Sequence, residues 1–326
     1  MRDHRYHDAI KASDKAIKSD PDNVFLFALR GEAHAYMENF ELALADFAKV
    51  VSTNNTDVKG LINFGAMLIR CNKINDAGEI LRYALELDPG NFDARINLCN
   101  VYQALGKPEE SLKIAFEAIE QNPTSPMAYN NLGTALGELM MLKEAREAYK
   151  TAHALGPYYF PTIVNLGEME ARLGNHAGAI EVYEQTLRVA GLSRNQQDLI
   201  KYYLSFSYLF TGNIGLGWEY YEYGLNPYLQ KGSVRSRRRF TKPAWDGKPL
   251  KGKTLLVWRE QGLGDEIEFS TCLNDLLSID GKVIYECDPR LQNLYTRTFP
   301  QFTIRPQSIH IDGSPVHEDF DTHCCL

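Results

Sequence analysis

The stretch Pro126-Met-Ala-Tyr-Asn-Asn131-Leu-Gly133-Thr-Ala-Leu-Gly137-Glu-Leu-Met-Met-Leu142-Lys-Glu-Ala145-Arg-Glu-Ala-Tyr149-Lys-Thr-Ala-His-Ala-Leu-Gly-Pro157 contains every element of a pattern that recurs along the chain. Pro21, Pro89, Pro123 and Pro157 share a 34-residue register, with Asn55 in the place between the first two. Gly31, Gly65, Cys99, Gly133 and Gly167 keep a second register, and Ala9, Ala43, Ala77, Ser111, Ala145 and Ala179 a third. Phe47, Leu81, Tyr149 and Tyr183 keep a fourth. Small residues let two helices cross closely, the large side chain fills the space beside the crossing, and proline interrupts the chain between hairpins.

Those registers resemble the tetratricopeptide repeat, in which helical hairpins stack into a superhelix. Full repeats are expected from about Val24, Val58, Phe92, Pro126 and Phe160, with a divergent one from about Asp198. Residues 1–20 read as the second helix of a partial repeat. The expected organisation is a superhelix of about six repeats over residues 1–226, a basic linker over 227–252, and an α/β segment over 253–326. Both ends read as cut, so a longer protein is expected.

A row of asparagines, Asn63, Asn97, Asn131 and Asn165, keeps the same period on the first helix of each repeat, with Leu29 in its place in the first full one. The row resembles the asparagine ladder of the O-linked N-acetylglucosamine transferases, family 41, which clamps an extended polypeptide. An amide both donates and accepts, so it can match a peptide group without reading its side chain. The plainer alternative is that asparagine is simply common at this place in the repeat.

The second decisive stretch is Arg259-Glu260-Gln261-Gly262-Leu263-Gly264-Asp265, after the apolar run Thr254–Trp258 and before a helical pattern expected over 265–279. A buried strand, a glycine turn and a helix open a parallel α/β sheet, and ligands of such sheets gather beyond the strands' carboxyl ends. Ile267 stands where a dinucleotide fingerprint needs its third glycine, and no Gly-Lys-Ser/Thr is present for a P-loop. Further strands are expected over Lys282–Cys287, Phe302–Arg305 and Phe320–Cys325, with a helix from Asp288-Pro289 to about Thr298. The fold class is therefore mainly α, a superhelix followed by a partial α/β domain.

With its flanks Pro243-Ala-Trp245-Asp-Gly247 and Leu250-x-Gly252, this turn resembles the segment joining repeats to a glycosyltransferase-like domain in bacterial proteins. It is also similar to the Gly-Asp turn of glycosyltransferase family 9, whose enzymes have two Rossmann-like halves, the GT-B fold. The resemblance covers roughly residues 216–326. It implies that Asp265 is the base that deprotonates an acceptor hydroxyl, and that a nucleotide-sugar donor is held by a second half. No cofactor is expected on these residues alone. Glu260, Gln261, Gly262 and Gly264 are the candidate turn residues, and His323 is the candidate facing the same cleft. The structural alternative for Asp265 is a helix cap, with Glu268 completing a capping box.

The net charge of −7 argues against nucleic-acid binding. The six cysteines show neither metal-ligand nor disulfide spacing, and no apolar run is long enough to span a bilayer. The expected setting is cytoplasmic, with a protein or peptide partner in the repeat groove and no metal. The basic run Lys231, Arg235, Arg237, Arg238, Arg239 and Lys242 reads as a solvated linker or a strip paired with the acidic repeats, the alternative being contact with a phosphate-bearing substrate or an anionic surface. A non-enzymatic adaptor is the rival to the transferase.

Overall fold

The structure is a computed structural model that describes residues 2–189, 191–225, 238, 240–260, 262–309 and 315–326, with side chains from residue 5 onward. A first helix, α1 (Arg2–Ser19), precedes five hairpins. These are α2 (Val24–Tyr36) with α3 (Phe40–Thr53), α4 (Val58–Arg70) with α5 (Ile74–Leu87), and α6 (Phe92–Ala104) with α7 (Pro108–Gln121). The last two are α8 (Pro126–Glu138) with α9 (Leu142–Leu155), and α10 (Phe160–Arg172) with α11 (His176–Leu187). Each first helix begins at the residue that the 34-residue period marks.

The registers act at the helix crossings. A Cβ placed on Gly133 would stand 2.6 Å from the Tyr149 ring, and one on Gly167 would stand 2.3 Å from the Tyr183 ring. Those glycines are therefore required by close approach, not by backbone angles. The third repeat solves the same crossing differently. Cys99 replaces the glycine, and Ala115 stands where the other repeats carry Phe, Leu or Tyr. Both are fully buried in one apolar cluster, so the added sulfur occupies space that the missing ring vacates. The first helices α4, α6, α8 and α10 touch in series, whereas each second helix reaches the next repeat through that repeat's first helix. The more closely spaced layer is the inner wall of a curved stack, and it carries the asparagine row.

The chain divides into two compact units, residues 1–190 with 210–212, and residues 191–209 with 213–326. The expected boundary near 226 gives way to one near 190. Its cause is aromatic: on α12 (Arg194–Phe210) and α13 (Ile214–Tyr221), Tyr202, Phe206 and Tyr221 pack ring on ring within the second unit. Nor is the described part of 227–252 a free linker. The Trp245 amide donates to the His323 carbonyl at 2.8 Å, the Thr322 hydroxyl donates to the Pro243 carbonyl at 2.9 Å, and Leu250 is buried.

Within that unit lies a four-stranded, all-parallel sheet in the order β3-β2-β1-β4, with β1 (Thr254–Trp258), β2 (Lys282–Cys287), β3 (Thr303–Pro306) and β4 (Thr322–Cys325). Leu255, Val257, Val283, Tyr285 and Cys287 face a cluster with Leu273, Tyr295 and Phe299, while Leu256 and Ile284 pack on the other face with Phe240 and Phe320. The helix expected over 265–279 is corrected: α14 covers only Leu263–Phe269 and continues as a 3-10 helix, Ser270–Ser278. A second short helix, α15 (Gln292–Thr298), follows a 3-10 turn at Pro289–Leu291.

Gly167→Ala should destabilise the repeats by about 1–3 kcal/mol, because the new methyl forces the Tyr183 ring or the backbone to move. Gly137→Ala serves as the control, since its Cβ would meet Met169 at 3.4 Å and Ala145 at 3.9 Å, both ordinary van der Waals distances. Urea unfolding of the two variants should separate them, with Gly137→Ala neutral or slightly stabilising.

Candidate functional site

At the carboxyl edge of the sheet, the residue after β1 ties the strand ends together. The Arg259 amide donates to the Glu286 carbonyl at 3.2 Å. Its guanidinium lies 2.9 Å from the buried Glu266 carboxylate and donates to Asp288 at 2.9 Å. Glu266 also accepts the Tyr285 hydroxyl at 2.9 Å and the Asp288 amide at 3.0 Å. A buried carboxylate held by a cation, a phenol and a backbone N–H is satisfied, and it fixes the first turn of α14 beneath the glycine turn. Burial, with Glu266 beside it, pushes the Tyr285 hydroxyl well above the usual phenol range. Burial likewise raises the Cys287 thiol to about 11. Sequence reasoning missed Glu266. The only signal available was a glutamate on the side of the turn helix that meets Tyr285.

The other face carries a second buried carboxylate, Glu286, which accepts from Arg238 at 2.6 Å and from Arg305 at 2.9 Å. Arg238 also lies over the Phe240 and Trp258 rings. The expectation of a wholly solvated basic run is corrected at this position, because Arg238 is 6% exposed. Lys231, Arg235, Arg237 and Arg239 lie outside the described residues, and Lys242 is exposed.

Asp265 is exposed at the third position of α14. It is not the cap: Gly262 holds the N-cap place and no side chain bonds the helix start, so the capping-box alternative does not apply. Gly262 has φ −66°, and a Cβ on Gly264 would meet nothing within 4 Å. Neither glycine is needed for a strained turn, and together they leave the surface beside Asp265 open. Glu260 is half-buried and lines a cavity of about 570 Å³ against Val257 of β1 and Cys324 of β4. Gln261 lies outside the described residues. His323 does not face this cavity. It stacks on Phe240 at 3.7 Å, and its partner in the sheet is Leu256, whose side chain belongs to the opposite face. Burial there lowers its pKa.

On the inner wall of the repeats the four asparagines are placed unequally. Asn63 and Asn97 are half-buried and make no side-chain hydrogen bond among the described residues. Asn131 is buried, its amide 3.4 Å from the Ile96 carbonyl, and the Asn165 amide donates to the Asn130 side chain at 3.0 Å. Asn130 was not legible as a partner, since its own period gives no sign that it turns toward the next repeat.

A tetratricopeptide-repeat family model matches residues 68–136, and the helical hairpins of this chain are tetratricopeptide repeats. The chain is 27% identical over 245 residues to protein FlbA of Caulobacter vibrioides, covering 74% of this chain and 40% of FlbA. It is 31% identical over 119 residues to RNA polymerase II-associated protein 3 of Mus musculus, covering 36% and 18% of the two chains. Over 135 residues it is 29% identical to the probable UDP-N-acetylglucosamine–peptide N-acetylglucosaminyltransferase SPINDLY of Hordeum vulgare, covering 39% and 14%. It thus spans less than half the length of each of these relatives. Among solved structures, a human IFIT1 dimer with m7Gppp-AAAA has the same fold over 68% of this chain and 54% of its own, with a TM-score of 0.58 and 16% identity. Among the described residues no group of three or more His, Cys, Asp or Glu side chains could hold a metal, and no helix is long and apolar enough to cross a membrane.

Asp288 gives the sheet edge a pH dependence. Hydrogen bonds from Arg290, with Arg259 nearby, hold its carboxyl well below the usual carboxylate range. A carboxylate depressed in the folded state stabilises that state above its unfolded pKa of about 3.9, and the contribution is lost as pH falls toward the folded value. The thermal midpoint of the α/β unit, followed by tryptophan fluorescence, should therefore fall as pH drops from about 5 toward 2. Asp288→Asn should lower the midpoint at neutral pH and flatten that slope. An unchanged slope would mean that other carboxylates carry it.

Proposed function

We propose that the repeats hold a polypeptide partner along their inner wall, and that the α/β segment supplies the acceptor side of a sugar-transfer site in a longer protein. The observation that carries the second half is the exposed Asp265 on an unobstructed glycine turn at the carboxyl edge of a parallel sheet, with a cavity beginning at Glu260. The reading takes that sheet as the first part of a Rossmann-like, GT-B half, with the nucleotide-sugar donor on a second half. The similarity to SPINDLY, whose name states transfer of N-acetylglucosamine to peptide, supports coupling such repeats to such chemistry. Asp265 is the base in this reading: it takes the acceptor hydroxyl proton while the oxygen attacks the sugar carbon and the bond from that carbon to the donor's diphosphate oxygen breaks, the nucleoside diphosphate leaving with the electron pair. Its exposure lets it reach such a proton.

A second reading, an adaptor that only binds partners, is favoured by the similarity to RNA polymerase II-associated protein 3, whose name states an association and no chemistry. The net charge of −7 favours a polypeptide over RNA as the occupant of the groove, although IFIT1 carries a capped RNA.

In the longer protein, Asp265→Asn should cut the turnover of sugar transfer by about 10²–10⁴-fold, the range for a general base, with no change in melting temperature. Turnover that survives the substitution would remove Asp265 from the chemistry, and absence of any transfer would favour the adaptor. For the groove, Asn63 and Asn97 are the amides to test, because Asn131 and Asn165 are engaged within the fold. Each hydrogen bond contributes about 0.5–1.5 kcal/mol net, so changing both to Ala should weaken a polypeptide selected on the wild-type repeats by about 1–3 kcal/mol. Calorimetry showing unchanged affinity would assign the row to ordinary repeat packing.

A further inference from the structure

The second helix of the first hairpin, α3, differs from the later second helices at two places, Ala45 and Ala48. In the same 34-residue register α5 carries Glu79 and Arg82, α9 carries Glu147 and Lys150, and α7 and α11 likewise hold longer side chains. Long side chains at such places cover neighbouring apolar surface with their stems. Two alanines cannot, and beside them lies a groove of about 710 Å³ lined by α3, α4 and α5. Its apolar surface is the edge of the repeat core. Leu44, Phe64 and Ile80 are half-buried there, packed against the cluster that contains buried Leu68. Phe64 and Leu68 share one side of α4 and Asn63 takes another, so the groove is separate from the asparagine row.

The rims of the groove are charged. Glu41 of α3 and Asp76 and Glu79 of α5 are exposed, and Lys73 stands at the start of α5. None of these four side chains makes an ion pair or a hydrogen bond among the described residues. Three carboxylates against one ammonium leave the groove acidic, with negative charge on both rims. Glu41 and Asp76 lie in the first turns of their helices, where the backbone dipole favours an acid. Glu79, further along α5, has no such role.

The backbone of an occupant is constrained as well. Helix walls have no free N–H groups along their length, and Lys73 is the one strong side-chain donor among the described residues of the lining. An extended chain laid on this floor would leave carbonyls unpaired against apolar surface. A helix satisfies its own backbone and can lay an apolar face into the groove.

We propose that the groove between α3 and α5 docks an amphipathic helix of a protein partner. Its apolar face lies on Phe64, Leu68 and Ile80, and its flanking Lys or Arg side chains reach Glu41, Asp76 and Glu79. This surface is distinct from the inner wall and does not depend on what that wall holds.

The probe is a synthetic helix-forming peptide of Leu and Lys alone, with its leucines on one face, labelled for fluorescence anisotropy against the whole chain. One comparison peptide has the same residues reordered so that no apolar face forms, and the other has Glu in place of Lys. The probe should bind saturably and each comparison at least about tenfold more weakly, since each lacks half of the match. Ala45 is exposed, so Ala45→Arg should keep the wild-type melting curve while laying a long cation across the floor, and binding should fall at least about tenfold. Glu79→Lys should weaken binding by about 3–10-fold at low salt, one attraction lost and one repulsion gained. Added salt should narrow that difference. Glu120→Lys makes the same charge change on the exposed surface of α7, outside the groove, and should alter affinity by less than about twofold. The proposal is overturned if the wild type does not bind the Leu–Lys peptide, or if either comparison peptide binds as tightly. It is equally overturned if folded Ala45→Arg and Glu79→Lys bind as the wild type does, or if Glu120→Lys weakens binding as much as Glu79→Lys. A wild-type dimer in sedimentation that Ala45→Arg dissolves would give the groove to a second copy of this chain, which also overturns it.

Discussion

The repeats depend on one steric constraint, that two helices must cross closely enough for a ring on one to lie against a bare Cα on the other. At Gly167 the Tyr183 ring already occupies the volume a methyl would need, and Gly133 with Tyr149 repeats the arrangement. The constraint concerns the sum of two volumes, not either residue alone. Cys99 against Ala115 satisfies it with the sizes redistributed, and both are fully buried. Because each hairpin contacts only its neighbours, one solution to the crossing, reused every 34 residues, suffices to build the stack.

The second unit is organised by buried charge. Its sheet ends are joined by two carboxylates, Glu266 on the helix-covered face and Glu286 on the other, each with guanidinium partners. Ionised groups are not buried in isolation, so each carboxylate fixes the positions of residues distant in sequence: Arg259 with Asp288, and Arg238 with Arg305. That network holds the glycine turn and Asp265 at the edge where ligands of parallel sheets collect. The short α14 contributes little dipole of its own, and the carboxylates and arginines beneath it dominate the local electrostatics.

The two units are thus built on different physics, repetitive apolar packing in one and a few long-range ionic contacts in the other. A repeat stack offers an extended wall with the same side-chain position recurring along it, which suits a long, weakly specified partner. A parallel sheet edge gathers unlike groups from several loops at one place, which suits a compact ligand. The differing lining of the two candidate sites, amides along one wall and aromatic rings with carboxylates around one cavity, follows from that difference.

The sequence alone determined where helices start in the repeats, because size periodicity is a local record of a contact made identically in every hairpin. It also determined the strands, since Thr254–Trp258 and Lys282–Cys287 are apolar runs bounded by turn residues. Only the tertiary structure decided which polar residues are structural. Arg238 in a basic run is indistinguishable from its neighbours until Glu286, 48 positions away, is brought beneath it. His323 sits on the face away from the cavity because strand pairing with β1 sets its register, and one residue of slip would have reversed it. Asn131 and Asn165 share a period with Asn63 and Asn97, yet the first two are engaged within the fold and the latter two make no side-chain hydrogen bond among the described residues. The physical reason is common to all three cases. Periodicity specifies which residues share a face, whereas pairing and burial depend on partners that only the folded chain brings together.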